Sequence, residues 1–189
     1  MAGPGVKASR RRLVITVSGL HGAGTSTHAR RLAKALGLRY VSAGKVFREM
    51  AEERGVTLEE MSRLAERDPE FDRLVDERTR EEASRGGVVI DAALSGWMVE
   101  EADIKVFLRA SLEARARRIA AREGLNVEEA REATLLREKI ERERFRRFYG
   151  IDLMDLSIYD VVLNTELFDV GGTARILTRV VVEYRRGGG

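Results

Sequence analysis

The sequence predicts an α/β fold: three α/β/α layers around a parallel sheet of about five strands. Three observations carry that reading. Short runs of apolar and β-branched residues alternate with stretches of helical periodicity, the pattern of strands joined by crossover helices. The run Leu13-Val14-Ile15-Thr16-Val17-Ser18 is almost continuously apolar, as a strand buried on both faces is. A Gly-rich segment, Gly19 to Gly24, then leads straight into a helix. Ligands of such sheets bind beyond the carboxyl ends of the strands, so candidate site residues are sought there.

Each element follows from local signals. After the glycines, Ala29, Leu32, Ala33 and Leu36 recur at helical spacing until Gly37 stops the helix. Short strands are expected at Arg39 to Ser42, Val88 to Ile90, Ile104 to Leu108 and Val161 to Leu163. Helical patterns cover Val46 to Arg54, Leu58 to Ala65, Pro69 to Arg85, Ser111 to Arg122, Val127 to Phe148 and Ala174 to Tyr184. Two helical stretches break the alternation, one between Ser42 and Val88 and one at Val127 to Phe148. Both read as excursions from the sheet.

Composition bounds the rest. A chain of 189 residues suits one core, because a single core serves up to roughly 250 residues. Residues 1–12 read as a disordered basic arm, residues 13–184 as one domain and residues 185–189 as a flexible tail. With no Cys and only His21 and His28, thiolate chemistry, disulfides and His-rich metal sites are excluded, so any metal would need oxygen ligands. No apolar run reaches the roughly 18 residues of a membrane span and no secretory leader is recognisable, so a cytoplasmic protein with no membrane partner is expected. The net charge of +3 hides 29 Arg against 5 Lys. Arg grips planar anions such as phosphate, but an Arg-rich surface of thermophilic or GC-biased type is the simpler reading for most of these residues. The basic residues gather in residues 1–12 and 109–147, which favours local contacts with nucleotide phosphates over a broad nucleic-acid surface.

The Gly-rich segment carries chemistry. Gly19-Leu20-His21-Gly22-Ala23-Gly24-Thr25-Ser26 has the spacing of the G-x-x-x-x-G-K-[ST] phosphate loop, between a buried strand and a helix. There, backbone N–H groups converge on a polyphosphate at a helix N-terminus, and the Ser26 hydroxyl would ligate Mg²⁺. Thr27 adds a hydroxyl at the same helix start. Thr25 replaces the lysine, removing a compact positive charge from the bound phosphates, and a plain tight βα turn is the competing reading. Phe47, Trp97, Phe145, Phe148, Tyr149 and Tyr159 are expected in the core, with stacking on a base as the alternative for one of them.

From the loop onward the chain resembles the cytidylate kinases, in particular their archaeal branch. The resemblance runs from Leu13 to Val181, through Tyr40-Val41-Ser42-Ala43-Gly44-Lys45-Val46-Phe47-Arg48, Asp91 to Trp97, Ala102 to Leu108 and Ala110 to Arg118. Its most specific part is Tyr149-Gly150-Ile151-Asp152, continued by Asp155 to Asp160 and Val162-Leu163-Asn164-Thr165. The resemblance implies a P-loop kinase fold with a monophosphate-binding insertion at about 43–86 and a lid at about 123–150. It implies transfer of the ATP γ-phosphoryl group to CMP or dCMP with Mg²⁺, in a protein expected to be monomeric. Gly19 to Thr27 would hold ATP, with Thr25 at the position of the catalytic lysine. Ser42, Gly44 and Arg48 would face the acceptor nucleotide, and Asp91 would join Ser26 near the metal or orient groups around it. Arg137, Glu141 and Arg144 match the lid pattern Arg-x-x-x-acid-x-x-Arg, with the arginines catalytic and Glu141 substrate-binding.

Spacing alone leaves Arg137, Glu141 and Arg144 as either a solvated ion-pair ladder or a functional face. Arg115, Arg118 and Arg122 share a helix face, and periodicity does not say which of them turns to the cleft. Two departures bear on the acceptor: Ala92-Ala93 stands where relatives have Gly-Arg, and Lys45 stands where many carry an acid. They keep two alternatives open, a kinase for another small acceptor such as AMP or UMP, and a noncatalytic nucleotide- or RNA-binding protein.

Overall fold

The computed structural model describes residues 12–57, 60–61, 64–65 and 68–187. The expected arm at residues 1–12 lies outside these apart from Arg12, the tail outside apart from residues 185–187, and the helix at Leu58 to Ala65 is described only in part. Five parallel strands form one sheet in the order β2-β3-β1-β4-β5, where β1 is Val14–Gly19, β2 Arg39–Ser42, β3 Val88–Asp91, β4 Ile104–Arg109 and β5 Val161–Asn164. The helices are α1 Thr25–Leu36, α2 Ala43–Glu53, α3 Pro69–Ser84, α4 Ser95–Met98, α5 Leu112–Glu123, α6 Val127–Tyr149 and α7 Val170–Arg186.

Alternation along the strands builds the layers. Ile15, Val17, Val89, Val106 and Leu108 meet Leu32 of α1 and Leu177 and Val181 of α7 in one buried cluster. Val14, Val88 and Ile90 face the other way, against Ala83 of α3 and Val99. Each fully buried Leu, Ile or Val stabilises the fold by about 1.5–3 kcal/mol relative to exposure, so β1, buried along nearly its whole length, anchors both layers.

Caps explain where the observed bounds differ from the expected ones. The Ser42 Oγ accepts the Lys45 amide at 3.1 Å, so α2 starts three residues before the apolar pattern does. Asp169 caps α7 through the Gly172 amide, drawing Gly171 and Gly172 into a helix that periodicity begins at Ala174. The four-residue α4 is too short for periodicity to reveal.

The two excursions build separate apolar clusters. In the first, Val46, Met50, Ala51, Met61 and Val75 form their own cluster with Phe47 and Phe71 beside it. The second is dominated by α6, whose 23 residues run about 34 Å from a capping box at Asn126 and Glu129 to Gly150 at φ 69°. Its first turns pack on α5 through Ala130 against Ile119 and Ala120, and its end packs through Phe145 on Leu94 and Leu153. Among the described residues no helix is long and apolar enough to cross a membrane.

Candidate active site

Register assembles the site. β1 and β3 run side by side with Val17 opposite Asp91, and β2 follows with Ser42 opposite the same Asp91. The carboxyl ends of three strands therefore present the loop after β1, the Asp91 carboxylate and the Ser42 cap together.

The loop is held from behind. A Cβ on Gly19 would collide with the Leu108 carbonyl of the neighbouring strand, and Gly22, at φ 80°, sits so that a Cβ would lie 2.8 Å from the Arg115 carbonyl. Both positions require glycine. Arg115 of α5 donates to the His21 carbonyl at 3.0 Å, Arg118 to the Gly22 carbonyl at 3.3 Å, and the Thr165 hydroxyl to the Ala23 carbonyl at 2.9 Å. Three successive carbonyls are thus engaged by donors. Gly24 caps α1 without a side chain, leaving the N–H groups of its first turn uncapped by any side-chain acceptor and open to an anion. Ala23 is buried, whereas Ser26 and Thr27 are exposed. The Thr25 methyl packs near Gly19. Arg115 is itself buried and paired with Glu138 of α6, so the loop is tied to that helix through a desolvated ion pair. Arg122 pairs with Glu123 in solvent and takes no part.

Ser26 Oγ donates to Asp91 Oδ2 at 2.6 Å, and Tyr40 OH donates to the same oxygen at 2.7 Å. Asp91 is only 8% exposed. Magnesium takes hard oxygen ligands, usually one or two from protein with the rest from water and phosphates. A hydroxyl and a carboxylate in contact beside a phosphate loop fit that chemistry. Among the described residues no group of three or more His, Cys, Asp or Glu could hold a metal ion.

Beside the loop lies a cavity of about 660 Å³ between α2, α3 and α6, reaching Ala43, Gly44, Ala92, Ala93 and Glu141. Arg48 lies over Gly44, exposed and with no ion-pair partner among the described residues, while Lys45 turns outward to Glu49 at 3.3 Å. Arg137, Glu141 and Arg144 all line the cavity, as one helix face must. Their contacts differ. Glu141 accepts from or is paired with His21 Nε2 at 2.6 Å, and Arg137 Nε stands 3.6 Å from it. Burial would raise the Glu141 carboxyl, but the His21 contact and the charges of Arg137 and Arg144 outweigh it and hold the carboxyl below its usual range. Arg144 instead meets Asp72 of α3 at 3.1 Å and lies over the Phe145 ring.

Residues that sequence reasoning passed over complete the picture. Tyr40, only one position of a longer motif in the sequence, reaches Asp91 through its hydroxyl. His28 is buried behind Gly24, and burial followed by the charges of Arg118 and Arg31 lowers its pKa. Asp72 and Asp76 line the cavity wall, and Asp76 Oδ2 accepts from Tyr149 OH at 2.7 Å. Burial raises both carboxyls, Asp76 to about 6. Only their spacing of four residues hinted at a shared face.

A five-stranded parallel sheet with a phosphate loop after its central strand, a hydroxyl–carboxylate pair beside that loop and an adjoining cavity is the architecture of a P-loop kinase. An AAA domain family model matches residues 18–135. Among solved structures, a shikimate kinase from Bacteroides thetaiotaomicron superposes with a TM-score of 0.63 over 89% of this chain and 98% of that one, at 17% identity. An uncharacterized protein from Eubacterium ventriosum superposes at 0.70 over 90% and 98%, at 15% identity. These likenesses concern the fold. Sequence similarity is more specific: the cytidylate kinase of Pyrococcus horikoshii is 48% identical over 170 residues, 90% of this chain and 88% of that protein. That of Ignicoccus hospitalis is 48% identical over 89% and 99%. The chain belongs to the cytidylate kinase family.

Proposed function

We propose that the protein transfers the ATP γ-phosphoryl group to CMP and dCMP. The observation that carries this reading is the cavity of about 660 Å³, large enough for a nucleotide and meeting the phosphate loop at Ala93 and Glu141. Donor and acceptor would bind on either side of that junction, which makes the reaction effectively unimolecular.

An acceptor phosphate oxygen attacks the γ-phosphorus, and the bond to the β,γ-bridging oxygen breaks to release ADP. The acceptor oxygen is already anionic, so no general base is needed and catalysis is alignment and charge stabilisation. The first-turn amides of α1 and the Thr25 hydroxyl bind the donor phosphates in place of a lysine. Arg115 and Arg118 keep the loop in shape. Arg48 grips the acceptor phosphate beside Ser42 and Gly44, and Arg137 and Arg144 bring positive charge to the equatorial oxygens as α6 closes. Closure also excludes water that would hydrolyse ATP. Mg²⁺, held by Ser26 and Asp91, would neutralise phosphate charge when bound.

The test is a panel of CMP, dCMP, UMP and AMP with ATP, products separated by chromatography. CMP and dCMP should be the preferred acceptors, and Arg137→Ala or Arg144→Ala should lower kcat at least about 100-fold with the fold intact. Turnover of neither cytidine nucleotide refutes the acceptor assignment, and near-normal kcat in both variants refutes the role of the lid arginines.

A further inference from the structure

The cavity has a phosphate end and an opposite end, and α6 measures the distance between them. Glu141 meets His21 of the loop, one turn later Arg144 meets Asp72, and Tyr149 meets Asp76. From Glu141 to Tyr149 the helix rises about 12 Å, so Asp76 lies roughly a nucleoside's length from the loop. Apolar side chains of Phe47, Val75, Leu94 and Phe145 wall the space between, suited to a flat ring.

The polar groups along this wall are incompletely used. Asp72 Oδ2 and Arg144 Nε are both buried, yet although they stand 3.1 Å apart neither has a hydrogen bond, because the N–H does not point along the contact. Asp76 spends one oxygen on Tyr149, and no hydrogen bond engages the other among the described residues. Buried polar atoms seek partners, and Asp72, Asp76 and Arg144 all line the cavity.

We propose that Asp72 and Asp76 read the acceptor's base: Asp72 accepts from the amino group of cytosine, and Asp76, fixed by Tyr149, offers its free oxygen as a carboxyl to the adjacent ring nitrogen. The proposal rests on the CMP kinase reading and names the groups that set its pyrimidine choice. Uracil presents the reverse pattern, a carbonyl toward Asp72 and an N–H toward Asp76. A carboxylate facing that carbonyl leaves two acceptors opposed in a desolvated site, which is the kind of mismatch that gives large discrimination. Burial first, then the nearby Asp72, raises the Asp76 carboxyl to about 6, against Arg80, Arg144 and the Tyr149 hydrogen bond, so at neutral pH the proton is taken up as the ring nitrogen binds.

The same substitution at the two positions should act oppositely. An amide at 72 can donate to uracil, so Asp72→Asn should lower the CMP-to-UMP ratio of kcat/KM about 10- to 100-fold. An amide at 76 keeps a donor for the ring nitrogen and an acceptor for Tyr149, so Asp76→Asn should keep the ratio within about threefold, while Asp76→Val lowers it about 10-fold or more. An unchanged ratio in Asp72→Asn, or equal losses on both acceptors, overturns the proposal and leaves Asp72 as the counter-ion of Arg144. If Asp72→Asn does not fold, the pair at 76 decides, and equal ratios in Asn and Val overturn it. Wild-type protein that turns over no cytidine nucleotide refutes the CMP kinase reading itself, and does so before any variant is compared.

Discussion

Replacing Asp76 by Asn should make the protein more stable at neutral pH, by an amount that the surroundings of Asp76 set. Its carboxyl is raised from an ordinary 3.8 to about 6, chiefly by burial, with the hydrogen bond from Tyr149 opposing. Each tenfold change in proton affinity is 1.36 kcal/mol, so ionised Asp76 costs the fold about 3 kcal/mol. The folded protein binds this proton more tightly than the unfolded chain does. The contribution of Asp76 to stability therefore falls as pH rises from about 4 to about 6, then levels off. Below about 4 the carboxyl is protonated in both states and the cost vanishes. Asn is neutral throughout and still accepts from Tyr149. Urea unfolding of wild type and Asp76→Asn at matched pH should give a small difference near pH 4.5 that grows to about 3 kcal/mol in favour of the variant by pH 7.5. A difference that is flat with pH, or a variant less stable at pH 7.5, refutes the reasoning. A gain would fit a residue kept at a cost in stability for its place in the cavity.

Two further outcomes follow from other contacts. Arg115→Met strands Glu138 as an uncompensated, largely buried charge and frees the His21 carbonyl, so urea unfolding should show a loss of about 3–5 kcal/mol, largely recovered by adding Glu138→Gln. Chelating divalent cations should abolish phosphoryl transfer reversibly, and Ser26→Ala should raise the Mg²⁺ concentration needed for half-maximal rate, with thermal stability changed little because Ser26 is exposed.

Much of the fold was legible because its signals are local. The apolar run of β1, the hydroxyls after Gly24 and the stop at Gly37 are each written within a few residues. The bounds that shifted, at α2 and α7, moved because a cap overrode periodicity, and capping depends on where the chain enters the helix. The loop was recognisable by spacing, and so was the common face of Arg137, Glu141 and Arg144.

The partners of those residues were not legible. In the sequence His21 is one position of the Gly-rich loop, whereas folding sets it against Glu141, 120 residues away. Arg115 and Arg118 looked alike with Arg122 on one helix face, and only the packing of α5 against the loop separated the two that hold it from the one in solvent. Apart from their spacing, nothing in the sequence around Asp72 and Asp76 marks them, and it is α6 that covers them. The sequence by itself determined the elements, the phosphate loop and the common face of Arg137, Glu141 and Arg144, since each depends on neighbours within one or two helical turns. The tertiary structure alone decided which charges meet and which are desolvated. Strand order and helix packing bring together groups tens of residues apart, and removal from water raises the proton affinity of Asp72 and Asp76 above that of an ordinary carboxylate.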